Sequence, residues 1–250
     1  MRTLISSAPS WALGCDDCRF GILPGGDYCD CDAGVAGRKL AERRAEEEIE
    51  RRAEEATRRE QARQQRFERL IPPDFRDRTA AALVGHEGKR DGALAAREWV
   101  STGQHSGRRG ILFTGGWGTG KSTFLYAIAA KLFEDGRGVM AVNYGEFCKA
   151  IQAEYGKEYG QAEAIIAKAL RVDTLCIDDL GTHGRDVETP DRTEIVQRIF
   201  QHRMDCDLPI IATSNFRMDA LAEHFGGRVG SRIKKCCAEV VVSGIDLRSI

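Results

Sequence analysis

One short segment combines glycines, a lysine and a serine at a fixed spacing. Residues 115–122 read Gly-Gly-Trp-Gly-Thr-Gly-Lys-Ser and fit the pattern G-x-x-x-x-G-K-[ST]. Glycines allow such a loop to close around phosphate groups, with backbone N–H groups turned toward the ligand at the start of a helix. In this pattern Lys121 reaches the outer phosphates and Ser122 a magnesium ion. The segment therefore predicts a binding site for a nucleoside triphosphate and Mg²⁺.

The elements on both sides of the loop are the ones that the pattern requires. Residues 111–114 are an apolar run that predicts a buried strand, and apolar residues recur at helical spacing over 122–133. A glycine-rich turn without a ligand is the alternative, which the flanking strand and helix disfavour. The predicted nucleotide-binding residues lie in or directly after the loop: Gly115, Gly116, Gly118, Thr119, Gly120, Lys121, Ser122 and Thr123.

Two adjacent carboxylates follow a second apolar run. Residues 175–179 read Leu-Cys-Ile-Asp-Asp and predict a buried strand with Asp178 and Asp179 at its carboxyl end, the edge of an open parallel sheet where ligands bind. We expect Asp178 to hold the magnesium, directly or through water, and Asp179 to orient or deprotonate the water that attacks the γ-phosphate. Because aspartate has a shorter reach than glutamate, we expect slow hydrolysis. A strand that ends in two capping acids is the alternative.

Two further polar residues are candidates for the same site. Asn215 stands after the predicted strand 210–213, where its amide could hold the attacking water or the γ-phosphate; an ordinary turn asparagine is the alternative. Arg232 lies in the basic run 228–235. It is either a surface charge or a phosphate contact that reaches into the site of a neighbouring subunit.

The elements that must position these residues alternate between strand and helix over residues 71–250. This alternation predicts an α/β domain with a parallel central sheet flanked by helices. The predicted strands are 111–114, 138–143, 175–179, 210–213 and 240–242, and the predicted helices are 122–133, 144–155, 161–170 and 189–203.

Residues 1–37 form a separate, cysteine-rich segment. Cys15 and Cys18 are followed by Cys29 and Cys31, and two close pairs of thiolates can surround a tetrahedral Zn²⁺ ion, without which so small a module has too little apolar surface to fold. Unpaired thiols on a flexible tail are the alternative, as is a site in which Asp27 or Asp30 replaces one sulfur. Three further cysteines are predicted to be core thiols: Cys148, Cys176 and Cys206.

A helix is predicted over residues 38–70, because this stretch of Ala, Glu, Arg and Gln contains neither glycine nor proline. Acid–arginine pairs four residues apart, such as Glu48 with Arg52, support its exposed faces. The sequence Ile71-Pro72-Pro73 ends the helix. A solvated spacer and a partner-binding arm are equally good interpretations of it.

Composition limits the classes of function without choosing among them. The net charge of −1 gives no overall basic field that would by itself indicate nucleic-acid binding. No stretch approaches the roughly 20 apolar residues of a membrane span. The first residues are too polar and interrupted for an export signal, so we expect a cytoplasmic protein.

At these motifs the chain resembles the AAA+ ATPases of the DnaC and IstB type, which include bacterial and phage helicase loaders and the ATPase subunits of some transposons. The resemblance covers about residues 71–246. It rests on the glycine-rich loop and on the segments 176–181, 212–215, 228–233 and 244–246. Trp117 departs from the pattern, because that loop position is usually filled by a smaller residue.

The resemblance implies that the loop and the paired acids bind ATP with Mg²⁺ and that Asn215 is the sensor 1 residue. It further implies that Arg232 is an arginine finger, which completes the site of an adjacent protomer, so that the working state is a ring or spiral oligomer. The extra C-terminal helical lid of many AAA+ proteins is expected to be missing, as is characteristic of this family.

The cysteine-rich segment resembles the zinc-bearing, helicase-binding domain of some loaders. We therefore expect an ATP-dependent loader that binds a DnaB-type replicative helicase through residues 1–70 and single-stranded DNA through its oligomeric ATPase domain. Loops near Lys149, Lys157 and Lys234 are the candidates for DNA contacts. The alternatives are an IstB-like transposition ATPase that acts on duplex DNA and a transposase, a P-loop small-molecule kinase, and a nucleotide-gated adaptor with negligible turnover.

Overall fold

A computed structural model describes residues 16–17, 22–23, 26–77, 86, 88–155, 160–181, 190–244 and 246. Backbone contacts divide the chain into two units, Met1–Gln65 and Arg66–Ile250. No helix within these described ranges is both long and apolar enough to cross a bilayer.

The first unit contains a small turn and most of a long helix, α1, which spans Asp32–Leu70. The predicted helix ends at the right residue but begins too late, at residue 38. Gly34 and Gly37 favoured the later start because glycine disfavours helix. Glycine is nevertheless needed at both helical positions, because the preceding turn packs closely against them. A Cβ at Gly34 would overlap the backbone carbonyl of Cys29, and one at Gly37 would come within 2.9 Å of the Tyr28 ring.

The second unit is built on a parallel sheet of five strands in the order β2-β3-β4-β1-β5. The α/β class with a parallel central sheet is thereby confirmed. Its strands are β1 Gly110–Thr114, β2 Val139–Asn143, β3 Thr174–Asp178, β4 Ile210–Ser214 and β5 Cys237–Val241. Its further helices are α2 Pro73–Arg76, α3 Arg90–Thr102, α4 Lys121–Glu134, α5 Tyr144–Gln152, α6 Gln161–Arg171, α7 Pro190–Asp205, α8 Met218–His224 and α9 Gly227–Cys236.

Four of these helices, α2, α3, α8 and α9, have no counterpart in the sequence prediction, and β5 begins three residues before its predicted start. Glycines weaken the helical signal of α3 and α9. Gly92 in α3 is required because a Cβ there would meet the Phe124 ring at 2.5 Å. Gly230 in α9 allows the same close approach to Ala222 of α8. Tertiary packing thus selects glycine where local propensity disfavours it.

Both faces of the sheet are buried. Leu112, Leu175 and Ile210 point into a core shared with α5 to α9. Ile111 and Phe113 point into the opposite core, which α3 and α4 cover. This alternation along β1 is what a sheet with helices on both sides requires.

Two of the three predicted core thiols, Cys148 and Cys176, are completely buried. The third prediction is wrong, because Cys206 is exposed. It lies one residue beyond α7, where its sulfur is 3.7 Å from Nε2 of His202. Cys206 therefore faces solvent at the helix end and does not belong to the core.

The end of α1 and the turn after it pack on helix α4. Ile71 is completely buried in the core that contains this helix. The rings of Phe67 and Phe133 have centroids 5.6 Å apart, and those of Phe75 and Tyr126 are stacked at 4.6 Å. Residues from Phe67 onward consequently belong to the second unit.

A buried arginine forms hydrogen bonds with the backbone of the segment that connects α6 to β3. Arg203 of α7 is completely buried, and its guanidinium donates to carbonyl oxygens at the end of α6, just after α6 and just before β4. The acceptors are Ala169 O at 2.8 Å, Val172 O at 2.9 Å, Asp173 O at 3.1 Å and Pro209 O at 2.8 Å. Burial lowers the pKa of Arg203 to about 10. Arg203 thus supplies donors to carbonyls at the helix end and in the strand connections, of which Pro209 O also accepts from Leu175 N at 3.3 Å.

We expect Arg203→Leu to lower the free energy of unfolding by at least about 3 kcal/mol, because each buried carbonyl left without a donor costs about 1–3 kcal/mol. Urea unfolding would measure it. Arg198→Leu is the matched control, since Arg198 lies on the same helix and pairs with Glu163 at 2.7 Å on the surface. Equal losses for the two variants would contradict this role of Arg203.

Candidate nucleotide-binding site

The glycine-rich loop connects β1 to α4, as the sequence predicts. Nζ of Lys121 donates to Gly116 O at 2.6 Å, and Oγ1 of Thr119 donates to the same oxygen at 2.9 Å. Helix α4 begins at Lys121 and has no side-chain cap at its N-terminus. The N–H groups of its first turn and the Lys121 ammonium therefore lie at one end of the loop, where phosphate oxygens can be bound.

Two glycines of the loop are required by its shape. Gly115 has φ +149 and Gly118 has φ +68, the second a value that side chains other than glycine seldom adopt. A Cβ at Gly115 would overlap Val242 O, and one at Gly118 would overlap the carboxylate of Asp246. The segment after β5 thus lies directly against the loop and limits the positions that it can take.

Asp178, the last residue of β3, forms hydrogen bonds with the first turn of α4 and with β4. Oγ of Ser122 donates to its Oδ1 at 2.8 Å, and Oγ1 of Thr213 donates to the same oxygen at 2.6 Å. Burial raises the pKa of Asp178, while these two hydrogen bonds act in the opposite direction and the neighbouring Asp179 adds to the increase. A buried carboxylate next to a hydroxyl and a phosphate-binding loop fits Mg²⁺, a hard cation that prefers oxygen ligands.

Asp179 lies outside β3, which ends at Asp178, whereas the sequence prediction placed it in the strand. Its φ is +56, an uncommon value for aspartate. Its backbone N–H donates to Oγ1 of Thr213 at 2.9 Å, and Nδ2 of Asn143 is 3.5 Å from its Oδ2. The turn therefore points the second acid away from the path of the strand.

Thr213 and Asn143 are site residues that the sequence analysis missed. Both come from the last two residues of a strand, since Thr213 is in β4 and Asn143 ends β2. Their positions at the carboxyl edge of the sheet were the available signal. That signal was weak, because the partners of Thr213 are more than thirty residues away in the chain.

Asn215 lies at the same edge of the sheet as Asp178, whereas Arg232 lies on α9 and contacts other residues. Asn215 follows β4, which pairs with β3 on one side and with β1 on the other, so Asn215 is at the same edge as the loop and the acids. Arg232 is on α9, where its Nε donates to Oε1 of Gln201 and its Nη1 to Arg228 O at 3.2 Å. The cleft around Arg232 is lined by α7 and α9 and, among described residues, by none from the loop.

The predicted zinc site falls only partly within the described residues. Cys29 is buried and Cys31 is half-buried, whereas Cys15 and Cys18 lie outside the part that can be described. Asp30 pairs with Arg38 at 3.0 Å. Within the described residues alone, no group of three or more histidine, cysteine, aspartate or glutamate side chains could hold a metal ion.

The family described as "ATPase family associated with various cellular activities (AAA)" matches residues 111–236, just over half of the 250 residues. The chain belongs to this AAA family. It is therefore an ATPase of the nucleotide-hydrolysing kind, and the use of a nucleotide and Mg²⁺ follows from the family.

Among curated proteins, this AAA protein is 31% identical over 117 residues to the replicative helicase loader DnaI of Bacillus subtilis, covering 47% of this chain and 36% of DnaI. It is 25% identical over 151 residues to the replicative helicase loader DnaC of Escherichia coli K12, covering 59% of each. The chain thus matches about a third to three fifths of these relatives. A crystal structure of DnaI superposes with a TM-score of 0.58 at 25% identity, covering 72% of this chain and 98% of that one.

Removing the charge of Asp178 should stabilise the protein in the absence of Mg²⁺. Because the pKa of Asp178 is raised in the folded state, the stabilisation associated with its neutral form is lost as the pH rises through that pKa. Asp178→Asn keeps an oxygen for Ser122 and Thr213 and carries no charge. At pH 7 its melting temperature should exceed that of the unmodified chain, on a scale of about 2–4 °C per kcal/mol.

The same variant should gain little from added ATP and Mg²⁺, whereas the unmodified chain should gain several degrees. Asp207→Asn is the control, since it removes an exposed carboxylate that pairs with Arg109 at 2.6 Å. A lower melting temperature of Asp178→Asn without Mg²⁺ would show that the charge is already compensated within the fold.

Proposed function

We propose that the chain is an ATP-dependent loader of a DnaB-type replicative helicase. The likeness of its AAA domain to two proteins named as replicative helicase loaders, DnaI and DnaC, is the observation that carries this proposal. Residues 1–37 and the helical segment 38–70 would bind the helicase, and the ATPase domain of residues 71–250 would bind single-stranded DNA. Cys15, Cys18, Cys29 and Cys31 would hold a structural Zn²⁺ in the first segment.

Within one protomer, each residue at the carboxyl edge of the sheet has a proposed task. The loop from Gly115 to Thr123 would bind the triphosphate, with the Lys121 ammonium moving from Gly116 O to the outer phosphates. Ser122 and Asp178 would hold Mg²⁺, which neutralises charge on the phosphates when it is bound. Asp179 would orient the attacking water or accept its proton, and Asn215 would hold that water or the γ-phosphate.

Hydrolysis is proposed to be slow, because the acid after Asp178 is an aspartate. Its positive φ and its contacts with Thr213 and Asn143 fix the backbone and limit how far the short side chain reaches. A slow step suits a loader, in which bound ATP maintains the assembly and its hydrolysis releases the helicase. This cycle would take place in the cytoplasm.

Arg232 is proposed to act on the nucleotide of a neighbouring protomer in a ring or spiral. In the single chain it contacts Gln201 and Arg228. A guanidinium can stabilise the charge that develops on a transferred phosphoryl group, as arginine fingers do when they act from a second chain. For the DNA, Lys149 and Lys234 are candidate contacts; Lys157 lies outside the described residues, and Lys234 already pairs with Asp219 at 2.6 Å.

Two inactive variants should restore each other if the site is shared between protomers. Lys121→Ala removes the phosphate contact and Arg232→Ala the finger, so each alone should lower ATP turnover at least about a hundredfold. A mixture pairs an intact loop of one chain with an intact Arg232 of the other and should recover part of the activity. Absence of recovery would favour a self-contained site, as in a small-molecule kinase.

The partner can be identified by retention of a purified hexameric replicative helicase on the immobilised full chain with ATP and Mg²⁺. Deleting residues 1–65 should abolish retention and preserve nucleotide binding, because the cut leaves the Phe67–Phe133 contact in place. Cys29→Ser with Cys31→Ser gives a second test within the full chain. Retention of a transposase and duplex DNA in place of the helicase would contradict the loader proposal.

A further inference from the structure

Trp117 is a large apolar side chain at the phosphate-binding loop that the phosphate contacts themselves do not require. It is 69% exposed, the highest fraction among the exposed large apolar side chains in the described residues, whereas Trp99 is completely buried. The loop pattern accepts any residue at this position. An exposed tryptophan beside a charged ligand site is typical of a protein contact, since tryptophan is enriched where interfaces are most buried.

The position of Trp117 follows from its neighbours. It comes directly after Gly116, whose carbonyl oxygen accepts from Nζ of Lys121 at 2.6 Å. Because Lys121 serves the outer phosphates, Trp117 stands at the end of the site where the γ-phosphate would be. Whatever protein group approaches that phosphate from outside must therefore pass close to the indole ring.

An open cleft of about 690 Å³ lies between α8 and α9 on the same unit. Five small residues and three charged ones line it: Ala222, Gly226, Gly227, Gly230 and Ser231, with Asp219, Glu223 and Lys234. An indole ring suits such a lining, because its N–H can donate to the Glu223 carboxylate, while Lys234 and Asp219 pair with each other at 2.6 Å. The volume is within the range of sites that hold drug-sized molecules, which are larger than one indole ring.

This cleft adjoins Arg232. Gly227 and Ser231 line both the cleft and a neighbouring one of about 460 Å³ that contains Arg232. The exposed side of α9 also carries Arg228 and Lys235, so its charge is complementary to a nucleotide triphosphate on another molecule. An approach that places Arg232 at a neighbour's γ-phosphate would therefore also bring this cleft toward the loop that carries the neighbour's Trp117.

We propose that Trp117 of one protomer docks into the cleft lined by Ala222, Gly226, Gly227 and Gly230 of a second copy of this chain. This proposal rests on the proposed action of Arg232 between protomers. It adds a side-chain contact that stabilises the association of the two protomers. The loop of one chain supplies the aromatic side chain, and α9 of the next supplies both the cleft and the arginine. The same loop thereby binds the nucleotide and, through Trp117, the second copy of the chain.

Gly227→Leu is the variant that separates docking from nucleotide binding. A Cβ at Gly227 meets nothing within 4 Å, and Gly227 is not among the glycines with positive φ, so the backbone accepts a side chain that projects into the cleft. It lies outside the loop and the acids. Gly230 is unsuitable, because a Cβ there would come within 2.5 Å of Ala222 O.

The measurement is the accessibility of Trp117 to a collisional quencher, in a full chain that carries Trp11→Phe. The signal of Trp117 is obtained by subtracting the spectrum of the same chain with Trp117→Phe. With a non-hydrolysable ATP analogue and Mg²⁺, we expect quenching of Trp117 to fall as protein concentration rises. Gly227→Leu should bind the analogue with unchanged affinity, lose this protection, and assemble at least about tenfold more weakly in sedimentation, as should Trp117→Ala.

Combining Trp117→Ala with Gly227→Leu should weaken assembly no further than either change alone, since both remove the same contact. Assembly in which Trp117 stays accessible would overturn the docking and leave the proposed function intact. Protection that persists in Gly227→Leu, or that requires single-stranded DNA, would overturn the docking and assign Trp117 to its own nucleotide or to DNA. A chain that binds the analogue and never assembles would overturn both the docking and the shared arginine.

Discussion

The candidate site depends on one buried carboxylate, that of Asp178. Ionised Asp178 is unfavourable in its buried position, as its raised pKa shows. The hydroxyl groups of Ser122 and Thr213 offset part of this cost, and they come from the phosphate-binding helix and from the neighbouring strand. A divalent cation would offset the rest. The groups around Asp178 therefore surround a buried carboxylate that is proposed to hold Mg²⁺ together with a bound polyphosphate.

The order of the strands brings these groups together. With β4 between β3 and β1, the residues that follow these three strands meet at one edge: the glycine-rich loop, the paired acids and Asn215. Ligands of open α/β sheets bind at the carboxyl ends of the strands for the same reason. The chain can therefore supply each part of the site from a different segment, and the sheet register determines how the parts align.

The elements that a local pattern determines were predictable, and those that depend on distant partners were not. The loop, β1 and β4 carry apolar runs or a motif that is specific by itself. Helix α9 was missed because Gly227 and Gly230 weaken its propensity, while burial of Val229 and Ile233 against other elements maintains it. The turn at Asp179 was missed because its conformation depends on a hydrogen bond to Thr213, far along the chain.

Helix α4 connects the proposed nucleotide site with the residues at the end of α1. Its first residues, Lys121 and Ser122, are proposed to bind the triphosphate and Mg²⁺. Tyr126, one turn later on the same face as Ser122, stacks on Phe75, and Phe133 near its other end contacts Phe67 of α1. An α-helix of 14 residues is a rigid body about 20 Å long, so a displacement of its first turn is carried along its length. The last residues of α1, from Phe67 onward, are consequently packed on the helix whose first turn is proposed to bind phosphate.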